Sequence, residues 1–236
     1  MCGRFTLRHS RSDLADWLKT CKVNVELPDM RPRFNIAPSQ VVCSITADGD
    51  GVFSAAMRRW GLLPGWAKDL KAGYTMINAR SETVATKPAF RQAFSKRRCL
   101  VLADGFYEWL KEGKARLPVW FSLVNGTPFA LAGIWEAPPK KLASSAEMAA
   151  VPADGTVSLL TTSANETVRP FHDRMPVLLP VDVWKDWLGD ISTDQASAML
   201  QPFPAEYMKS RRVTKLVNSP KHDVPECLQE ERATLF

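Results

Sequence analysis

The second residue carries the most chemistry in this chain. A small residue at position two normally lets an aminopeptidase remove the initiator, and loss of Met1 leaves Cys2 with a free α-amine, a 1,2-aminothiol. An α-amine titrates at ~7.7–8.0 and a cysteine thiol at ~8.5, so both are partly nucleophilic near neutrality. Neighbouring cations would enlarge the thiolate fraction further. Such a pair condenses with aldehydes: the amine forms a Schiff base and the sulfur closes a five-membered thiazolidine. Gly3 removes bulk beside the thiol, and Arg4 brings a guanidinium suited to phosphate. A Met-Cys start is also a common accident, so the dipeptide needs the rest of the chain to give it meaning.

Composition narrows the field. Lys plus Arg number 31 against 25 Asp plus Glu, a net charge of +6 and a pI near 9.1, which suits an anionic partner such as nucleic acid without requiring one. The cysteines at 2, 21, 43, 99 and 227 are odd in number and contain no CxxC pair, so neither a zinc ribbon nor a disulfide framework is expected. No metal and no cofactor is called for. The first twenty residues include Arg4, Arg8, Arg11, Asp13, Asp16 and Lys19, unlike a signal peptide, and no run approaches the ~18 apolar residues of a membrane span. A cytoplasmic or nucleoid-associated protein is expected, nuclear if eukaryotic, neither secreted nor membrane-bound, and monomeric.

The elements that must position Cys2 follow from periodicity. Residues 4–8 alternate as a strand, and Ser10 to Cys21 reads as a helix behind a Ser10-x-x-Asp13 capping pattern. Val41–Thr46 and Val52–Trp60 read as a hairpin around Asp48-Gly-Asp-Gly51, and Gly61–Trp66 as a structured loop. A helix is expected from Pro88, with Phe90 and Phe94 on one face and Lys96, Arg97 and Arg98 at its end. Cys99–Trp109, Leu117–Val124 and Phe129–Trp135 read as an antiparallel meander, and 138–155 as a mobile surface loop. Thr156–Ala164 and Met175–Leu179 return to strand, Val181–Leu188 to a helix stopped by Gly189, then a short helix at 194–200 and a strand at 211–217. Trp17, Trp184 and Trp187 fall on apolar helical faces, and the pairs Arg58-Arg59, Arg97-Arg98 and Arg211-Arg212 read as solvated faces. No repeat or linker divides the chain, so residues 1–236 are expected to form one α+β domain on a curved, mostly antiparallel sheet or barrel with peripheral helices.

Six motifs then occur in order: Met1-Cys-Gly-Arg-Phe5, Arg33-Phe-Asn-Ile-Ala-Pro38, Trp60-Gly-Leu-Leu-Pro-Gly-Trp66, Ile77-Asn-Ala-Arg-Ser-Glu82, Ala103-Asp-Gly-Phe-Tyr-Glu-Trp109 and His172-Asp-Arg-Met-Pro176. On these the chain resembles the SOS response-associated peptidase family, the abasic-site processing proteins, over roughly residues 2–220. The loop at 138–155 and the C-terminal tail fall outside the shared pattern. The resemblance implies a β-rich fold that binds single-stranded DNA and links its N-terminal cysteine to the aldehyde of a ring-opened abasic site, shielding it during the DNA damage response. It places the active site at Cys2, Asn78, Glu108 and His172, and candidate DNA contacts at Gly3, Arg4, Asn35, Pro38, Trp66 and Arg80.

Each position has a bland alternative. Glu108 shares a strand face with Leu102, Asp104 and Phe106, where a desolvated carboxyl with a raised pKa would suit proton shuttling; by itself it reads as a solvated strand end. His172, beside Asp173, is a candidate acid for the sugar ring oxygen, its tautomer or pKa set by that carboxylate, or else a structural turn histidine. Asn78 suits holding the N-terminal amine or a sugar hydroxyl, or is an ordinary turn residue, and Arg80 is a phosphate clamp or a surface arginine. Trp66, in a Pro-Gly loop, is placed to stack on a base.

Two other readings stay open. A cysteine peptidase would use Cys2, His172 and Asn78 and turn over peptides, with removal of Met1 by the chain itself as its minimal form. A non-covalent reader of damaged or modified DNA would bind without Cys2 and weaken steeply with salt. The Schiff base of the covalent reading also opens a β-elimination, lyase-like route.

Overall fold

The computed structural model describes residues 2–113, 115–140 and 149–231. Strand β1 (Phe5–Leu7) leads into helix α1 (Arg11–Thr20), which starts at the capping box read from the sequence, Ser10 and Asp13 each bonding the other's backbone N–H. Then follow β2 (Arg33–Ile36), β3 (Val41–Ala47), β4 (Phe53–Trp60), α2 (Lys71–Thr75), β5 (Asn78–Arg80) and α3 (Arg91–Lys96). The middle of the chain is β6 (Arg98–Ala103), β7 (Gly105–Glu112), β8 (Ala115–Leu123), β9 (Phe129–Glu136) and β10 (Thr156–Ser163). It ends with β11 (Arg174–Pro176), β12 (Leu178–Leu179), α4 (Trp184–Leu188), α5 (Thr193–Ala198) and β13 (Met208–Arg212).

Two sheets form. In the larger, β4 pairs β3, β3 pairs β6, β6 pairs β9, β9 pairs β10, and β10 returns to β4 through the parallel pairs Thr156↔Arg59 and Val157↔Trp60. Those pairings curl five strands into a closed ring, whose strands carry Ile45, Leu100, Leu102, Leu131 and Leu159 among other buried side chains. The smaller sheet, ordered β13-β8-β7-β1-β2, is antiparallel throughout. The expected α+β, mostly antiparallel fold is found, and no helix among the described residues is long and apolar enough to cross a membrane.

The run Cys99–Trp109 is not one strand. It breaks at Asp104, so β6 stays in the ring while β7 leaves for the smaller sheet. The Asp104 carboxylate, fully buried, accepts from Thr6 Oγ1 at 2.6 Å, the Arg8 backbone N–H at 2.5 Å and His9 Nδ1 at 2.8 Å. A run of apolar residues is blind to such a switch, because β6 and the first half of β7 are buried on both faces. The expected strand at 175–179 is likewise interrupted: Val177 donates its N–H to Leu160 and accepts from Ala132, so β11 pairs β10 and β12 pairs β9.

Other expectations shift. The last strand is Met208–Arg212 rather than 211–217, because Thr214 caps a 3-10 turn at Lys215–Asn218. Arg58, Arg59 and Arg98 are buried instead of solvated. Arg98 sits where two helices end, donating to the carbonyls of Phe94, Trp187 and Gly189 that those helices leave unsatisfied. Part of the 138–155 loop, residues 141–148, lies outside the described residues, while Val151 is buried against Leu63 and Ala67. Trp184 and Trp187 are core, as expected, with Trp17 edge-on to Trp184 at 5.5 Å.

Gly105 marks the switch. A Cβ there would lie 2.2 Å from Trp120 Nε1 and 2.4 Å from Cε2, because the indole crosses this residue to reach Thr6 Oγ1 at 3.2 Å. Gly105→Ala is expected to displace the indole at an overpacking cost of about 1–3 kcal/mol, a fall in Tm of roughly 2–10 °C by thermal melting. An unchanged Tm would show that the close approach is dispensable.

Candidate active site

Cys2 precedes β1, and β1 is fixed to β7 by the pair Phe5↔Phe106 and by the Tyr107 N–H donating to the Arg4 carbonyl at 3.0 Å. Continuing that register sets Gly3 beside Glu108. From the ring, Asn78 opens β5, whose backbone is held in parallel register by Leu159 on β10. Its Nδ2 donates to the Cys2 carbonyl at 2.8 Å. The sheet and the ring thus meet at Cys2, which is fully buried, with its thiol 3.8 Å from the Arg4 carbonyl. Burial, and then the negative charge of Glu108, push the thiol up to about 12. The N-terminal positive charge does favour the thiolate, as expected of a nearby cation, but burial outweighs it.

Glu108 lies mid-strand in β7 and is only 4% exposed, opposite Val119 on β8. Burial pushes its carboxyl up to about 7, with a smaller push from Asp173. His172 ends the turn after β10, its N–H bonded to the Val168 carbonyl. The Arg174 backbone N–H donates to its Nδ1 at 2.9 Å. Only an unprotonated Nδ1 can accept that bond, so the ring proton sits on Nε2. Asp173 Oδ1 lies equally near Nδ1, but Asp173 is 87% exposed and water screens it. Burial wins and lowers the His172 pKa, leaving a neutral ring near pH 7. The neighbouring carboxylate therefore does not make His172 a proton reservoir; the ring is a hydrogen-bond donor.

Gly3, Arg4, Glu108, Trp109, Lys111, Arg116, His172 and Asn218 line one cavity of about 540 Å³. A larger cavity of about 680 Å³ lies beside Cys21 and Trp184 but has no buried carboxyl, so chemistry rather than size selects the site at Glu108. Arg4 donates to Asn35 Oδ1 at 2.7 Å and to the Val217 carbonyl at 2.9 Å, with its guanidinium 5.7 Å from the Trp109 ring centre. Lys111 and Arg116 are cross-strand partners on β7 and β8. The cavity therefore joins a buried acid to three cations.

Of the residues singled out from the sequence, Cys2, Gly3, Arg4, Asn78, Glu108 and His172 converge. Asn35 is fully buried, its Nδ2 donating to the carbonyls of Val217, Ser219 and His222, so it braces Arg4 instead of facing the cavity. Pro38 is half-buried in the turn before β3, Trp66 is 55% exposed on its loop, and Arg80 is exposed two residues along β5; none of the three lines the cavity. Trp109, Lys111, Arg116 and Asn218 were missed as site residues. The first three were within reach of hairpin register once Glu108 was suspected. Asn218, which accepts from Trp109 Nε1 at 2.6 Å, comes from a distant turn and left no local signal.

The chain has near-full-length relatives among known proteins. The chain is 39% identical to abasic site processing protein YoaM of Bacillus subtilis (strain 168), over 98% of this chain and 99% of that one. It is 38% identical to YoqW of the same strain, over 97% and 99% respectively. Its fold matches a solved structure from Bacteroides thetaiotaomicron with a TM-score of 0.79 at 22% identity, covering 98% of this chain and 100% of that one. The sequence model for SOS response associated peptidase (SRAP) matches residues 1–220, and with these near-full-length relatives it shows that the chain belongs to the SRAP family.

Proposed function

We propose that this protein processes abasic sites in single-stranded DNA by capturing the sugar aldehyde on Cys2. The observation that carries the reading is the Asn78 bond to the Cys2 carbonyl beside a buried carboxyl with a pKa of about 7. The names of its relatives support the substrate. The buried thiol favours a strand whose abasic residue can turn inward, which a single strand permits at least cost.

With Met1 gone, Arg4, Lys111 and Arg116 hold the flanking phosphates. The Nε2–H of His172 donates to the sugar ring oxygen. Opening breaks the C1′–O4′ bond, with O4′ gaining a proton and the anomeric hydroxyl losing one to leave the aldehyde. The Cys2 amine adds to C1′, and the carbinolamine loses water as Glu108 protonates the departing hydroxyl. Sulfur then bonds to the imine carbon while the thiol proton passes to the Glu108 carboxylate and on to nitrogen. One water is released and a thiazolidine remains. A carboxyl near pH 7 serves both proton steps, because both of its forms are populated. A resting thiolate is unnecessary, since the thiol is deprotonated only as the C–S bond forms. A peptidase would need that thiolate at rest, and a thiol pushed up to about 12 disfavours it.

On a denaturing gel with an abasic-site oligonucleotide, the mature protein is expected to give a shifted band that survives high salt, and Cys2→Ala none. Binding that persists in Cys2→Ala with no band from wild type would leave a non-covalent reader. Glu108→Gln should slow capture by about 10²–10⁴-fold and abolish an inflection near pH 7 in the rate profile.

The same substitution should stabilise the fold at high pH. The folded pKa lies above the ordinary glutamate value of 4.5, so the folded state resists ionisation; stability is full below about 4.5 and declines as pH rises through about 7. Above pH 7.5 Glu108→Gln is expected to gain on the order of 1–3 kcal/mol over wild type and to match it near pH 4. Denaturant melts at the two pH values test this, and equal stability at both would rule out a carboxyl strained by burial.

A further inference from the structure

The outer face of the smaller sheet is only partly covered. Two 3-10 turns, Lys215–Asn218 and Pro225–Leu228, pack over Tyr107 and part of Trp120. Past that cover, the guanidinium of Arg8 stands 4.8 Å from the Trp120 ring centre and that of Arg211 stands 5.0 Å from it. Arg8 directly follows β1 and Arg211 lies in β13, and with Ser122 and Lys209 they line a cavity of about 370 Å³.

The charge there is unbalanced. The Nε edge of Arg8 is 3.3 Å from Asp104 Oδ1, but that carboxylate also takes His9 Nδ1 and two further donors. Arg211 is half-buried and, among the described residues, its side chain makes neither an ion pair nor a hydrogen bond; its guanidinium lies over the indole. Lys209 donates to the Val124 carbonyl, which leaves its charge uncompensated. Two guanidiniums sharing one indole repel each other, and an anion that reaches both relieves the repulsion while taking several directed N–H donors.

We propose that this cavity is a second phosphate site, occupied by the backbone of the DNA strand whose abasic residue enters the cavity at Glu108. The proposal rests on the functional reading above and extends it to the strand's path. Arg4 and Arg8 share a side of β1, stacking on Trp109 and Trp120 respectively, so one strand carries a cation at each end. Cys2 and Arg8 are six residues apart in extended chain, about 20 Å at ~3.3 Å per residue. A helical nucleic-acid strand rises ~3.4 Å per nucleotide, so the second site engages the backbone about six nucleotides away, or fewer if the strand is stretched.

The test is anisotropy across a salt series, using single strands of about 5 and about 21 nucleotides with a central abasic analogue that lacks the aldehyde. On the long probe, Arg211→Ala, alone and with Arg8→Ala, is expected to weaken binding and flatten the plot of log affinity against log salt by about 0.7 per lost phosphate contact. On the short probe it should change neither. Arg211→Lys keeps the charge and should keep the slope, separating a lost contact from a damaged fold. An unchanged slope on the long probe, or an equal loss on both probes, overturns the proposal. Adduct formation at Cys2 on a short aldehyde-bearing probe is read separately. A chain that forms no adduct yet shows the length-dependent slope refutes the covalent chemistry and keeps the second site; the converse refutes the second site alone.

Discussion

The break at Asp104 and Gly105 is the constraint on which the rest depends. One apolar run must leave a closed ring and enter a second sheet within two residues. Gly105 makes room for the Trp120 indole, and the Asp104 carboxylate gathers Thr6 of β1 with Arg8 and His9 just after it. Those bonds fix β1 against β7, and β1 begins three residues after Cys2. The position of Cys2 is therefore set at the far end of the strand that follows it.

Asp104 and Glu108 lie four residues apart, are both buried, and meet opposite fates. Burial raises the pKa of each, but around Asp104 the donors and the Arg8 charge outweigh it and hold the carboxyl below its ordinary value. At Glu108 burial prevails and the carboxyl rises to about 7. One becomes a fixed anion that organises strands; the other becomes a group able to give and take protons at neutral pH. Pairs whose surroundings drive their pKa values apart divide structural from chemical work in this way.

The cations follow a similar division. Arg98 is spent on carbonyls at helix ends, and Arg33 and Arg97 on the carboxylates of Asp223 and Glu136. Arg4 is different: Asn35 and Val217 hold it from behind, and Asn35 is in turn held by the carbonyls of Ser219 and His222. Asp223 accepts the backbone N–H groups of Phe34 and Asn35. The segment past residue 218 thus acts as a brace that keeps a guanidinium aimed at the cavity.

Sequence alone determined the elements with strong periods or caps, such as the Ser10–Asp13 capping box and the β3–β4 hairpin, together with the motifs around Cys2, Asn78, Glu108 and His172. These are local properties, written in residue type and spacing. Only the tertiary structure decided that Cys99–Trp109 divides between two sheets, that Arg58 and Arg59 turn inward, that Asn35 braces Arg4, and that Asn218 joins the cavity. It also decided that burial outweighs the N-terminal charge at Cys2 and the Asp173 carboxylate at His172. The physical reason is common to all of them: burial and hydrogen-bond partners come from residues tens to hundreds of positions away, and a pKa or a strand's choice of sheet depends on those neighbours more than on the residue itself.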